Sequence, residues 1–131
     1  MASTSLAGAR ADLYALLAAN TTTGAPHASL AQITRVYDHE PLPGDLFKPV
    51  SVTIVAGNVD PDFFTFEVRI YATDGTQQIT QKNLDAAIDQ VDARLRATAE
   101  FGPSTWQISW IDSIAAWVAL TSIMSGRQDY Y

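Results

Sequence analysis

Cysteine is absent from the 131 residues. That excludes disulfide scaffolds, thiolate zinc centres, iron–sulfur clusters and thiol nucleophiles. Basic side chains are few: eight Lys and Arg stand against fourteen Asp and Glu, a formal net charge of −6. A surface that grips nucleic-acid phosphates needs clustered Lys and Arg, so the balance opposes that role. It does not oppose a surface that lets DNA pass. Long apolar runs are also missing. None reaches the roughly 18 residues of a spanning helix, and the most apolar stretch, Ile108 to Met124, carries Asp112 and several Ser and Thr. The start MASTSLAGARADLYALLAAN is broken by Arg10 and Asp12, whereas a secretory signal wants about 7–15 uninterrupted apolar residues after a basic start. A reducing cytoplasm is therefore the expected site of synthesis, and no membrane contact is expected. There is no internal repeat; the short Thr21-Thr22-Thr23-Gly24 run reads as a linker. A chain of this length fits one domain and can bury a core without a metal or disulfide staple.

What is present is a strong periodic pattern. Leu6, Ala9, Leu13, Leu16 and Leu17 mark one face of a helix over about Ser5 to Asn20. Ser3, Thr4 or Ser5 is placed to cap it. Residues Leu30–Asp38 alternate as a strand. The segment Asp38–Pro49, with three prolines and a glycine, reads as a long projecting loop. Val50 to Val55 is a β-branched strand, and Gly57-Asn58 with Asp60-Pro61-Asp62 reads as the turn after it. Phe63 to Thr73 is the clearest strand: Phe64, Phe66, Val68 and Ile70 point one way, and Phe63, Thr65, Glu67, Arg69 and Tyr71 the other. A second helix is expected over about Thr80 to Thr98, buried along Leu84, Ala87, Ile88, Val91 and Leu95. Phe101-Gly102-Pro103-Ser104 closes it. Strands over about Thr105 to Ile111 and Ala115 to Met124 follow, joined by a hairpin turn at Asp112-Ser113. Ser125 to Tyr131 is a short arm. The expected fold is α+β, a single domain over 1–131: one mostly antiparallel sheet of about five strands with two helices packed on it, in the order α-β-β-β-α-β-β.

Candidates for chemistry are thin. His39 lies between Asp38 and Glu40, but neighbours in an extended segment point apart and do not converge on a metal. No Gly-x-Ser-x-Gly elbow, phosphate loop or dinucleotide fingerprint appears. The expectation is no enzyme, no cofactor and no metal. Asp85, Asp89 and Asp92 recur at i, i+4 and i+7, so they share one helix face. That face is either plainly solvated or the wall of a negatively charged passage. Phe64, Phe66, Trp106 and Trp110 have strand spacing and read as core. Phe63, Tyr71 and Trp117 fall where a sheet face covered by helices on its other side would be wet or meet another subunit. Tyr37, Tyr130 and Tyr131 are open to the same reading.

The helix ADLYALLAAN, the strand FFTFEVRIYATDG with its helix NLDAAIDQVDARL, and the strand AAWVALTSIM with the tail SGRQDYY together resemble the tail terminator (tail-completion) proteins of long-tailed bacteriophages. The likeness is one of pattern and spans nearly the whole chain. Its Ala- and Thr-rich make-up, with more Arg than Lys, is similar to that of phages of GC-rich, actinobacterial hosts. The resemblance implies a hexameric ring that caps the tail tube, ends its polymerisation and offers the head-joining surface. The implied location is the virion neck after assembly in the host cytoplasm. The implied partners are further copies of the chain, the tail tube protein and a connector or stopper protein. DNA would pass through without sequence-specific binding. Interface candidates are then Phe63, Tyr71, Trp117, Leu46, Phe47, Arg127, Tyr130 and Tyr131; channel candidates are Asp85, Asp89 and Asp92. The rival expectations are another head–tail connector component such as a stopper, a tail tube subunit, or a small binding module; a small enzyme would need a polar pocket that no motif supplies.

Overall fold

A computed structural model describes residues 5–39, 50–73, 77–98, 101–103 and 105–126. Helix α1 spans Leu6–Leu17. Its N-cap is Ser5, whose Oγ accepts from the Gly8 amide at 3.0 Å, satisfying a donor that the first turn leaves open. At its far end the Arg94 Nε donates to the Leu16 carbonyl at 2.8 Å, a cation where the helix dipole favours one. The helix stops three residues earlier than its apolar spacing suggested, because Ala18–Asn20 forms a strand, β1, that pairs antiparallel with β2, Ala25–Pro26. Asn20 builds the turn between them: its Oδ1 accepts from the amides of Thr22 and Thr23. Gly24 sits at φ 77°, and a Cβ there would lie 2.6 Å from the Val36 carbonyl oxygen. Glycine is therefore required at this position.

The main sheet has six strands: β3 (Arg35–Tyr37), β4 (Val50–Val59), β5 (Phe63–Ala72), β6 (Phe101–Pro103), β7 (Gln107–Ile111) and β8 (Ala116–Gly126). The spatial order is β3-β4-β5-β8-β6, with β7 also paired to β8. The protein is α+β as expected, with more strands than the sequence pattern suggested. The extra ones, β1, β2 and β6, are two or three residues long. Every pairing in the main sheet is antiparallel except β3 with β4, which is parallel. The strand expected over Leu30–Asp38 is shortened to three residues. Its first half turns instead: the Leu30 amide donates to His27 O and the Ile33 amide to Leu30 O. Leu30 and Ile33 are buried at a spacing of three, which is a turn's spacing.

Gly57 and Asn58 lie inside β4, at a register shift between Ala56 and Val59. They serve a bulge, where extra residues bend the strand, and a Cβ on Gly57 would come 2.9 Å from the Thr65 carbonyl oxygen. The chain reverses later, where the Asp60 amide meets Phe63 O at 2.9 Å. Helix α2 spans Gln77–Arg96. Between β7 and β8 a 3-10 turn, Asp112–Ile114, ends on Ala115 at φ 50°. Ser125 and Gly126, expected in the terminal arm, belong to β8.

Both helices cover one sheet face. The core joins Ala9, Leu13 and Leu17 of α1 and Leu84, Ala87, Val91 and Leu95 of α2 to Val52, Ile54, Phe64, Phe66, Val68, Ile70 and Ile123 of the sheet. The register explains the membership. Val52 and Ala119 flank Ile70 on either side, as Ile54 and Thr121 flank Val68, so each row faces the same way. At roughly 25 cal/mol per Å2 of apolar surface, each large side chain in this layer contributes about 1.5–3 kcal/mol of burial.

Candidate functional site

Among the described residues, no α-helix covers the opposite sheet face. Along β5 it presents Thr65, Glu67, Arg69 and Tyr71, all half-buried apart from Tyr71. Glu67 pairs with Arg69, and Arg69 also hydrogen-bonds Tyr71. Burial by itself pulls the Arg69 guanidinium down; the bonds to Tyr71 and Glu67 and the Glu67 charge outweigh it and hold it above the usual range. Ser51 and Thr53, in register with Tyr71 and Arg69, are fully buried between these larger neighbours. At the β3 margin, the Arg35 guanidinium lies 4.6 Å above the Tyr37 ring and His39 meets that ring edge-on.

This face changes the standing of two interface candidates. Tyr71 is 6% exposed, sharing a small second cluster with Val118, against which Ile111 and Ile114 pack. The 3-10 turn folds over it, so its apolar surface is already covered within its own subunit. Tyr37, expected to be open to a contact, is 5% exposed. Phe63 is half-buried at the end of β5, opposite Gly126. Trp117 packs against the main core and meets Trp110 edge-to-face, with ring centroids 5.6 Å apart. Leu46, Phe47, Arg127, Tyr130 and Tyr131 lie outside the described residues, as does most of the loop 38–49.

Exposed apolar surface falls elsewhere: Val59 is 55%, Ile108 49% and Met124 48% exposed. None of the three stood among the candidates. Ile108 follows the same alternation as Trp106 and Trp110, which were expected in the core. It escapes burial because β7 extends the sheet where helical cover has ended; of the three, Trp106 alone packs directly on the main core. The bulge in β4 likewise carries Val59 out to the surface.

The three aspartates of α2 do not behave alike. Asp85 and Asp89 are exposed. Asp92 accepts from the Trp106 indole Nε1 at 2.9 Å and from the Arg96 Nε at 2.8 Å. Burial pushes its carboxyl up, but the hydrogen bonds from Arg96 and Trp106 and the Arg96 charge outweigh that and hold it below the usual carboxylate range. Asp92 is thus an internal strut between α2 and the segment leading into β7. Of the three channel candidates it is the one whose charge is paired within the subunit.

A concave site not visible from any motif lies between α2 and the residues after β2. It has a volume of about 400 Å3, with Ala93 and Ala97 beside His27, Ser29, Asp89, Gln90 and Arg94. Gln90 Oε1 holds the facing segment by accepting from the Gln32 amide at 2.8 Å. His27 Nδ1 lies 2.8 Å from Ser29 Oγ and accepts from the Ser29 amide at 3.1 Å. An amide donor requires a lone pair on Nδ1, so the neutral ring carries its proton on Nε2. The contact closes a local turn, with the imidazole acting as acceptor for the nearby backbone. Among the described residues no group of three or more His, Asp or Glu could hold a metal ion, and no helix is long and apolar enough to cross a membrane. No protein-family model matches the chain, and no curated protein matches it in sequence.

Proposed function

We propose that this protein is a structural subunit of a bacteriophage tail, a tail terminator whose copies form a ring of about six on the end of the tail tube. The observation that carries the reading is the one-sided sheet. Two helices bury one face, no described helix covers the other, and Val59, Ile108 and Met124 are exposed on the strands; such strand surface suits a subunit that meets others. The sequence pattern of helices and strands, and its resemblance to that family, supply the specific choice of ring. In this reading the ring ends tube growth and presents the joining surface for a connector protein, and DNA passes through it. The exposed Asp85 and Asp89 and the net charge of −6 suit a wall from which phosphate is repelled. Native mass spectrometry of the chain mixed with tail tube protein tests the proposal. A species of about six copies supports it; a monomer that persists beside the tube refutes it.

A further inference from the structure

The two edges of the main sheet are finished differently. At β3, the edge is covered: the Val36 amide donates to Gly24 O at 2.8 Å, which brings the β1–β2 turn alongside it. At the other side, β7 pairs with β8 through one flank, from Gln107 opposite Leu120 to Ile111 opposite Ala116. No described strand pairs with its outer flank. Sheet edges are ordinarily blunted by Lys, Pro, a bulge or an inward charge. The strand Gln-Ile-Ser-Trp-Ile has none of these. Its first three residues are exposed, Ile108 by 49%.

We propose that the outer edge of β7 pairs with β7 of a second copy of this chain, antiparallel and two-fold about Ser109, so that two sheets run into one. The sequence of the strand selects this occupant and this register. With Ser109 at the axis all five residues overlap. Gln107 then faces Ile111 of the second copy, and Ile108 faces its Trp110. A β-branched residue beside an aromatic is a favourable cross-strand pair, and it covers the exposed Ile108. Charge permits it too. In a chain of net charge −6, this strand is uncharged, and the next position brings Asp112 opposite residue 106, a neutral tryptophan. No like charges meet across the axis. The contact is isologous and closes on itself. It therefore differs from the head-to-tail contacts of a ring and does not rest on the terminator reading.

The absence of cysteine makes a direct test available. Across a two-fold axis at Ser109, the two Cα atoms would be about 4.5–5.5 Å apart, within the range of roughly 4.4–6.8 Å that a disulfide spans. The two Gln107 Cα atoms would be about 13 Å apart along the strands. Under mild oxidation, Ser109→Cys is expected to form a covalent dimer at least tenfold faster than Gln107→Cys, both variants keeping the wild-type circular dichroism spectrum. Adding Ile108→Lys to Ser109→Cys is expected to slow the dimer at least tenfold. Equal rates for the two cysteine positions, or no dimer from folded Ser109→Cys, would overturn the proposal. So would a rate unaffected by Ile108→Lys.

Discussion

Replacing Asp92 by Ala removes one acceptor from two donors of unequal worth. Trp106 Nε1 is part-buried and bonds Asp92 at 2.9 Å; a hydrogen bond to a charged group is worth about 1.5–3 kcal/mol. Arg96 is 59% exposed and bonds Asp92 at i,i+4; such pairs are worth about 0.3–0.5 kcal/mol. The expected loss for Asp92→Ala at pH 7 is therefore about 2 kcal/mol, carried mainly by Trp106. Arg96→Ala is expected to cost about a quarter of that. Urea denaturation of the two variants and of Trp106→Phe measures both terms, and the double variant Asp92→Ala/Trp106→Phe measures their coupling. The pH dependence adds a second check. The folded Asp92 carboxyl lies below its usual value, so its contribution is complete above the unfolded pKa of about 3.9 and is lost as pH falls through the lower folded value. The gap between wild type and Asp92→Asn is expected to narrow on acidification from pH 5 to below about 3. An undiminished gap at the acid end would refute the electrostatic account of this strut. So would a cost for Arg96→Ala that exceeds that of Asp92→Ala.

Three further outcomes are expected. Gly24→Ala places a Cβ 2.6 Å from Val36 O at φ 77°; thermal melts should show a loss of at least about 1–2 kcal/mol from the left-handed conformation alone, and an unchanged melting temperature would show that the turn is not built this way. Ser125 is fully buried and its hydroxyl has no hydrogen-bond partner among the described residues, so Ser125→Ala should raise stability by about 1 kcal/mol; a clear loss would mean that the hydroxyl is satisfied. If Asp85 and Asp89 line a DNA passage, changing both to Lys should slow DNA ejection from phage carrying the variant, through phosphate attraction; unchanged ejection kinetics would return them to a plain solvated helix face.

The long periodic elements were legible in the sequence because burial writes a regular period into them. The alternation of Phe64, Phe66, Val68 and Ile70 and the stripe from Leu84 to Leu95 sit in the core where their spacing put them. Short elements carry no period. Strands β1, β2 and β6 have two or three residues each and are defined by partners far along the chain. Leu30 and Ile33 were misread because a turn that buries two apolar residues can imitate a strand over a few positions. Gly57-Asn58 was misread because a bulge and a turn use the same residue types. The site surfaces were the least legible. The alternation of β5 put Tyr71 on the face away from the helices, but nothing local to β5 shows Ile111 and Ile114 closing over it. The concave site joins residues 27–29 to residues 89–97, a meeting that only the tertiary fold creates.

The proposed role turns on copy number. Quantitative mass spectrometry of purified virions, with the chain measured against a protein of known stoichiometry, tests it most directly. About six copies per particle are expected, located at the neck. Its absence from virions, or a count that tracks the many copies of a tube subunit, would contradict it.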